Sequence, residues 1–567
     1  MTKTITVSYK PPDRLAMKWP YKPNYADINS AVKSCGQAKF NGKRKEWVIP
    51  ASAGVQVAKA IKPHYPELSE AILEIPEIVT ANTIAAERVL LSSAIEAEPM
   101  WLPGLKHGEL VRPYQWVAPH MFSAGGHDRL LIADDMGLGK SLQALLCILN
   151  GQYKRVLIVC PSVVKVNWAN EVEKWTEMNT SLIYGQTKEY DVSQITIINY
   201  DLLHARVEEL LLDDYDCIVF DECHTLKNQK TQRTKAAKRL ATWPTVKGMI
   251  AMSGTPILNR PSEIYTVLNM LKPATFTNYY LFGKKYCGAI HNGYGWDFNG
   301  ASNIETSDDG ITPPLNHLLK DIMLRRTMDD PRLADQMPDL LQTIVEVDIK
   351  RGFYDIVYNT LMDELEHYRT TGSGSIPPGL LLNILTDLRH AAGRAKVKAA
   401  IDWMVLYWQT YKKPLVVFAH HKDVVEDIWS RIDGVGRGFI TGSTPDKQRQ
   451  RLISKFQEGH LPFLVCSTLA MKEGINLDAA DTTLFVEREW VPAHERQAAS
   501  RVRRITQESD VCHQVILSAA NTVDSHFDKV VREKAAVVKA ALDGSESDKM
   551  IVAQAVAESL LAGRSLI

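Results

Sequence analysis

Leu130-Leu-Ile-Ala-Asp-Asp-Met-Gly-Leu-Gly-Lys-Ser141 decides how the rest of this chain is read. An apolar run of strand length enters a glycine-rich turn, and a helical pattern over Leu142–Leu149 follows at once. That order of strand, turn and helix is the context a phosphate-binding loop requires. Gly137 and Gly139 let the backbone curl so that successive N–H groups face a phosphate, with the helix N-terminus adding positive potential. Lys140 can reach the β- and γ-phosphates of a nucleotide, and the Ser141 hydroxyl can ligate Mg2+. Asp134 stands where the generic pattern has its first glycine, so the reading needs a second motif.

That motif is Asp216-Cys-Ile-Val-Phe-Asp-Glu-Cys-His224. An apolar run ends in two acids, which places Asp221 to hold Mg2+ and Glu222 to polarise an attacking water as general base. Adjacent acids after a strand are often only a solvated turn. Their place after a phosphate loop and before His224 makes them far more specific. Met252-Ser-Gly-Thr-Pro256 closes the next apolar run, and there Ser253 and Thr255 can bond to the acidic motif and report the γ-phosphate. Cys223 beside His224 is no nucleophilic dyad, because neighbours in sequence do not face one another.

Outward from these motifs, strand-like runs alternate with helical patterns. One series comprises Leu130–Ala133, Val156–Cys160, Ile195–Asn199, Cys217–Phe220 and Gly248–Met252; a second comprises Leu415–Ala419, Gly438–Thr441, Phe463–Ser467, Thr483–Val486 and Gln514–Leu517. Strands spaced by helices in this way predict parallel sheets covered on both faces. The expected fold class is α/β: two doubly wound parallel-sheet lobes with a helical insertion and a small α+β N-terminal module. The expected segments are a basic module with an acidic linker over 1–90, a first, nucleotide-binding lobe over 91–270 and helical insertions over 271–400. A second lobe over 401–545 and a C-terminal helix over 546–567 complete them.

Charge is unevenly placed. The 567 residues carry 66 Lys+Arg against 66 Asp+Glu, so a globally basic nucleic-acid binder is excluded and any polyanion site must be local. Residues 1–62 hold 12 basic and three acidic side chains, and residues 63–100 hold seven Glu and one Arg. Within the basic part, Asn41-Gly42 predicts a hairpin bearing Lys39, Lys43, Arg44 and Lys45 with Phe40 and Trp47, which could grip phosphate and stack on an unpaired base. Phe40 and Trp47 fit the core of that module equally well. Eight scattered cysteines without a C-x-x-C pair exclude zinc-ligand spacing. With no apolar run long enough to span a bilayer and no signal-like N-terminus, the expected setting is intracellular, cytoplasmic or nucleoid, with no membrane partner.

Taken in order, the motifs resemble those of the Snf2 family of superfamily 2 motor ATPases. The resemblance rests on Leu110-Val-Arg-Pro-Tyr-Gln115, the phosphate loop, Asn167-Trp168 with Glu171, and Asp221-Glu-Cys-His-Thr-Leu-Lys-Asn228. It continues through Met252-Ser-Gly-Thr-Pro256, Gly474-Ile-Asn-Leu477, and Gln497 to Arg501 with Arg504-Ile-Thr-Gln507. It implies RecA-like lobes, ATP and Mg2+ as cofactors, and DNA, duplex or branched and read without regard to sequence, as partner. Gln115 would contact adenine, with Arg112 and Tyr114 shaping that pocket and Gly474 contributing from the second lobe. Arg501 and Arg504 look like arginine fingers, and His224, Ser253, Thr255 and Gln497 like coupling residues. Asn167 and Trp168 are DNA candidates on the same basis.

Tyr286-Cys287 and Trp296-Asp-Phe-Asn-Gly-Ala-Ser-Asn303 are similar to the annealing-helicase branch, whose accessory module helps recognise branched DNA. Asp135 and Ser141 stand where the family usually has Glu and Thr, while Lys472-Glu473, Arg503 and Thr506 depart from it near the nucleic-acid groove. The leading expectation is therefore an ATP-driven translocase that regresses forks or anneals strands. The alternatives are a remodeller displacing proteins such as RNA polymerase, or an ATP-switched DNA-binding protein. A nuclease subunit would need an added acidic metal cluster, which the sequence lacks.

Overall fold

The computed structural model describes residues 6–533 except 11–13, 19–28, 30–31, 33–38, 51–53, 125–127, 188–189, 191–192, 255–260, 274, 292–294, 299–301, 308–312, 329, 372–377, 433–435, 472–474, 490–491 and 505–506. Thr255, Gly474 and the expected C-terminal helix over 546–567 lie outside the described residues. The chain divides into two compact units, one of Met1–Asp134, Lys140–Cys160 and Trp168–Arg326, the other of Asp135–Gly139, Pro161–Asn167 and Thr327–Ile567.

In the first unit the N-terminal strands β1 (Thr6–Lys10), β2 (Arg14–Lys18), β3 (Lys39–Asn41) and β4 (Glu46–Pro50) form an antiparallel sheet in the order β1-β2-β4-β3. Period-two alternation puts Leu15, Met17, Trp47 and Ile49 on one face. Helices Gly54–Ile61 and Pro66–Leu73 cover that face with Val57, Ile61, Leu68 and Ile72. The expected hairpin is present, closed by the exposed turn 42–45, where the Arg44 N–H donates to Asn41 Oδ1 at 3.2 Å. Trp47 belongs to the core while Phe40 is 46% exposed, so the two aromatic residues do different jobs.

The Glu-rich stretch is not an extended linker. It folds as Pro66–Leu73 and Pro76–Ser92, because its apolar residues recur at helical spacing and a proline starts each helix. Its one arginine, Arg88, is buried and donates to the carbonyls of Asp321, Arg129 and Ala124 at 2.5, 2.7 and 3.4 Å. Arg88 thereby fastens this helix to the larger sheet of the same unit.

That sheet contains β5 (Arg129–Ile132), β6 (Val156–Cys160), β7 (Thr180–Leu182), β8 (Ile195–Asn199), β9 (Cys217–Asp221) and β10 (Gly248–Met252). After a short hairpin, β11 (Ile290–His291) with β12 (Trp296–Asp297), the chain returns as β13 (Met323–Leu324). The seven strands are parallel in the order β13-β5-β10-β9-β6-β8-β7. Residues 271–326, within the stretch 271–400 expected to hold helical insertions, group with the first unit. The segment resembling annealing helicases works as a clip: Asn303 Nδ2 and Ser302 Oγ both donate to the Lys285 carbonyl at 2.9 Å. Phe298 lies so close to Gly283 that a Cβ there would meet it at 2.4 Å.

The second unit holds β14 (Asp339–Val347), β15 (Leu415–Ala419), β16 (Arg437–Ile440), β17 (Phe463–Ser467), β18 (Thr482–Phe485) and β19 (Val511–Ala519). They form a parallel sheet in the order β14-β19-β18-β15-β17-β16. Side chains of β15 alternate between two cores, Leu415, Val417 and Ala419 on one face and Val416 and Phe418 on the other. The α/β class with two parallel-sheet lobes and a small antiparallel module is thus what the chain adopts.

Candidate active site

The neighbouring strands β5, β10 and β9 run parallel, and their register pairs Met252 with both Ile132 and Asp221. Three motifs far apart in sequence therefore leave the sheet at one edge, the carboxyl end where ligands of open α/β sheets bind. Beyond β5, Gly137 and Gly139 take φ of +91° and +66°, a region closed to most side chains, and the helix Lys140–Asn150 begins directly afterwards. Lys140 Nζ donates to the Asp134 carbonyl at 2.8 Å, which brings the lysine back over the turn. Ser141 lies half-buried in the first turn of that helix.

At the end of β9, Asp221 is held from three directions. Trp168 donates its indole N–H to Oδ2 at 2.8 Å, the Glu222 N–H donates to Oδ1 at 3.0 Å, and the Tyr200 hydroxyl donates to the backbone carbonyl at 2.7 Å. Burial, then the neighbouring Glu222, push the Asp221 carboxyl up to about 7, against the pull of Trp168 and Lys140. Two crowded acids whose charge burial disfavours are a donor set suited to a hard divalent cation. The Asp221 carboxylate and the Ser141 hydroxyl are oxygen donors of the kind Mg2+ takes.

Glu222 has φ of +49°, rare for a side-chain-bearing residue, and the turn it makes aims its carboxylate toward β10. The Ser253 hydroxyl donates to Glu222 Oε2 at 3.4 Å, and His224 Nδ1 lies 3.2 Å from the same oxygen and 3.1 Å from Ser253 Oγ. The acid, the histidine and the serine thus form one hydrogen-bonded group. Ahead of β5, Tyr114 and Gln115 are buried and Arg112 is exposed. The Arg112 N–H donates to Gln115 Oε1 at 3.0 Å, which fixes the orientation of the amide.

Other expected residues fall elsewhere. Trp168 is only 1% exposed and bonded to Asp221, so its side chain does not offer a DNA surface; this corrects its assignment, because the indole is consumed in positioning an acid. Asn167 lies half-buried beside it in the helix Lys165–Trp175. In the second unit, Arg501 is buried with Nε donating to the Met471 carbonyl at 3.0 Å, and Arg504 Nη2 donates to the Ile475 carbonyl at 3.0 Å. Gln497 is half-buried in the helix Pro492–Ala499. Lys43, Arg44 and Lys45 are exposed at the hairpin turn, while Lys39 lies in β3. Among the described residues no group of His, Cys, Asp and Glu forms a further metal-binding cluster, and no helix is long and apolar enough to cross a membrane.

A family model for the SNF2-related domain matches residues 104–394, just over half the chain, and one for the helicase conserved C-terminal domain matches residues 386–506. The chain belongs to the SNF2-related family. It is accordingly an ATP hydrolase of the Snf2 type. Over 445 residues it is 31% identical to the Xenopus tropicalis SWI/SNF-related matrix-associated actin-dependent regulator of chromatin subfamily A-like protein 1, covering 76% of this chain and 45% of that one. It is 28% identical over 443 residues to the Mus musculus DNA annealing helicase and endonuclease ZRANB3, covering 75% of this chain and 40% of that one. This Snf2 chain thus spans less than half the length of those two relatives. Among solved structures, the Sulfolobus solfataricus SWI2/SNF2 ATPase core in complex with dsDNA is similar with a TM-score of 0.38 and 23% identity, covering 80% of this chain and 97% of that one.

Two residues at this site escaped the sequence. Trp168 carried a signal, as part of the Asn167-Trp168 motif, but not its role. Arg326 carried none.

Proposed function

We propose that this chain is an ATP-driven DNA translocase that acts on duplex or branched DNA and regresses forks or anneals strands. The observation that carries the reading is the Glu222–His224–Ser253 group at the carboxyl ends of β9 and β10. A general base wired to the neighbouring strand suits an ATPase whose chemistry must be reported to the rest of the protein. Lys140 binds the terminal phosphates, Ser141 and Asp221 hold Mg2+, and Glu222 takes the proton of the attacking water. Bound Mg2+ would supply neutralisation of phosphate charge. Arg501 and Arg504 meet the charge that develops on the transferred phosphoryl group, a contribution of roughly 10³–10⁵ in rate for such arginines. His224 and Ser253, with Thr255 and Gln497, couple the nucleotide state to movement.

Membership of the Snf2 family and the two named relatives support DNA as the track. An exposed Lys43-Arg44-Lys45 turn beside the exposed Phe40 supports phosphate gripping and base stacking by the N-terminal module. Steady-state hydrolysis with no DNA, single strand, duplex and forked DNA, for wild type and Lys140→Ala, tests the reading. Stimulation by DNA that Lys140→Ala abolishes is expected. A wild-type rate indifferent to every DNA would overturn the translocase, and equal stimulation by duplex and fork would remove its preference for branched DNA.

A further inference from the structure

Asp134, the residue that departs from the generic phosphate loop, is fully buried, and so is the arginine that meets it. Arg326 lies 192 residues further along the chain. The sheet explains the meeting: β13 pairs Leu324 with Ile132 of β5, and two residues further along the same parallel register Arg326 stands opposite Asp134. The Arg326 N–H donates to Asp134 Oδ1 at 2.9 Å, and its Nε lies 3.1 and 3.2 Å from the two carboxylate oxygens. Gln143, from the helix after the phosphate loop, completes the group, with Nε2 donating to Asp134 Oδ2 at 2.9 Å and Oε1 accepting from Arg326 Nη2 at 2.8 Å.

The guanidinium also reaches the base-binding side. Its Nη1 donates to the Tyr114 carbonyl, and its Cζ lies over the Tyr114 ring, 4.8 Å from the ring centre. Tyr114 is the residue before Gln115, whose amide is oriented by the Arg112 N–H. On the other side, the carbonyl of Asp134 accepts from Lys140 Nζ at 2.8 Å. One buried arginine therefore joins the residue that precedes the adenine-facing amide to the residue that receives the phosphate-binding lysine. A buried ion pair is seldom retained for stability alone, because an apolar pair of similar volume is often as stable.

We propose that Arg326 is a positioning residue that sets the base-binding segment and the phosphate loop in one frame, and so determines selectivity for adenine. The proposal rests on the reading of Gln115 as the adenine contact and Lys140 as the phosphate contact. Arg326 touches no nucleotide; it acts through Tyr114 and Asp134. A base amide displaced by a fraction of its hydrogen-bond length loses its discrimination, while phosphate binding by the loop backbone persists.

The test is equilibrium binding of ADP and GDP to the full chain, for wild type, Arg326→Lys and Arg326→Met, with thermal melting alongside. Wild type is expected to prefer ADP. Arg326→Met is expected to lower the ratio of GDP to ADP dissociation constants by about tenfold or more, chiefly by weakening ADP. Arg326→Lys keeps the charge but loses the planar fork and the ring stacking, and should recover the ratio only in part. Where Arg326→Met does not fold, Arg326→Lys alone decides. A wild-type ratio in a folded Arg326 variant, or equal weakening of both nucleotides, overturns the proposal. A wild type that binds both nucleotides equally would instead overturn the reading of Gln115.

Discussion

Trp168→Phe isolates the contribution of one hydrogen bond to the metal-binding end of the site. The substitution keeps an aromatic ring in a position that is 1% exposed and removes the indole N–H that meets Asp221 Oδ2 at 2.8 Å. A hydrogen bond to a charged group contributes about 1.5–3 kcal/mol net, which is roughly 10- to 150-fold in an equilibrium constant. That bond favours the ionised carboxylate, so its loss favours the proton over a cation. The Mg2+ concentration giving half-maximal hydrolysis should therefore rise by about tenfold or more, with less effect on the rate at saturating Mg2+. Because burial and Glu222 push Asp221 up to about 7, hydrolysis at limiting Mg2+ should rise with pH through neutrality as the carboxyl loses its proton. In Trp168→Phe the same rise should move to higher pH. Trp175→Phe is the control: that indole, on the same helix, donates to Glu171 Oε2 at 3.0 Å, away from the acidic pair. It should cost similar stability and leave the Mg2+ midpoint in place. Equal shifts in both variants, or none in either, would refute the reasoning.

Arg88→Met removes three bonds to backbone carbonyls and should loosen the helix Pro76–Ser92 from the large sheet at a cost of about 2–4 kcal/mol. Limited proteolysis should then cut within residues 61–92 before either parallel-sheet lobe, and an unchanged cleavage pattern would contradict that role. Replacing Lys43, Arg44 and Lys45 together with Gln should weaken fork binding and reduce the slope of log affinity against log salt by up to about 2.7; an unaltered slope would free the turn from DNA. Arg504→Ala should retain nucleotide binding and lose turnover, and unchanged turnover would remove it from the chemistry.

Much of the fold was legible because the central strands are buried on both faces and therefore read as unbroken apolar runs. Val156–Cys160 and Phe463–Ser467 are buried at every position. β13 and β14 were not legible, for opposite reasons. β13 is two residues long, and β14 lies largely exposed at a sheet edge with no apolar period to mark it. Missing β13 also hid Arg326, since only the register of that strand brings it to Asp134. The acidic pair and the phosphate loop were legible because their chemistry demands particular residues at fixed places after a strand. Trp168 was visible as a motif residue, yet no sequence pattern says whether an indole faces solvent or a carboxylate. Arg88 was counted only as the one base in an acidic stretch, and its function depends on carbonyls from Ala124, Arg129 and Asp321, which no local pattern joins.

Movement along DNA is the central claim, and displacement of a third strand from a DNA triplex measures it most directly. Wild type should release the third strand only with hydrolysable ATP and Mg2+, after a lag that grows with the length of duplex between the loading end and the triplex, and Lys140→Ala should release none. DNA-stimulated hydrolysis without any release of the third strand would contradict translocation and leave an ATPase that grips DNA without moving on it.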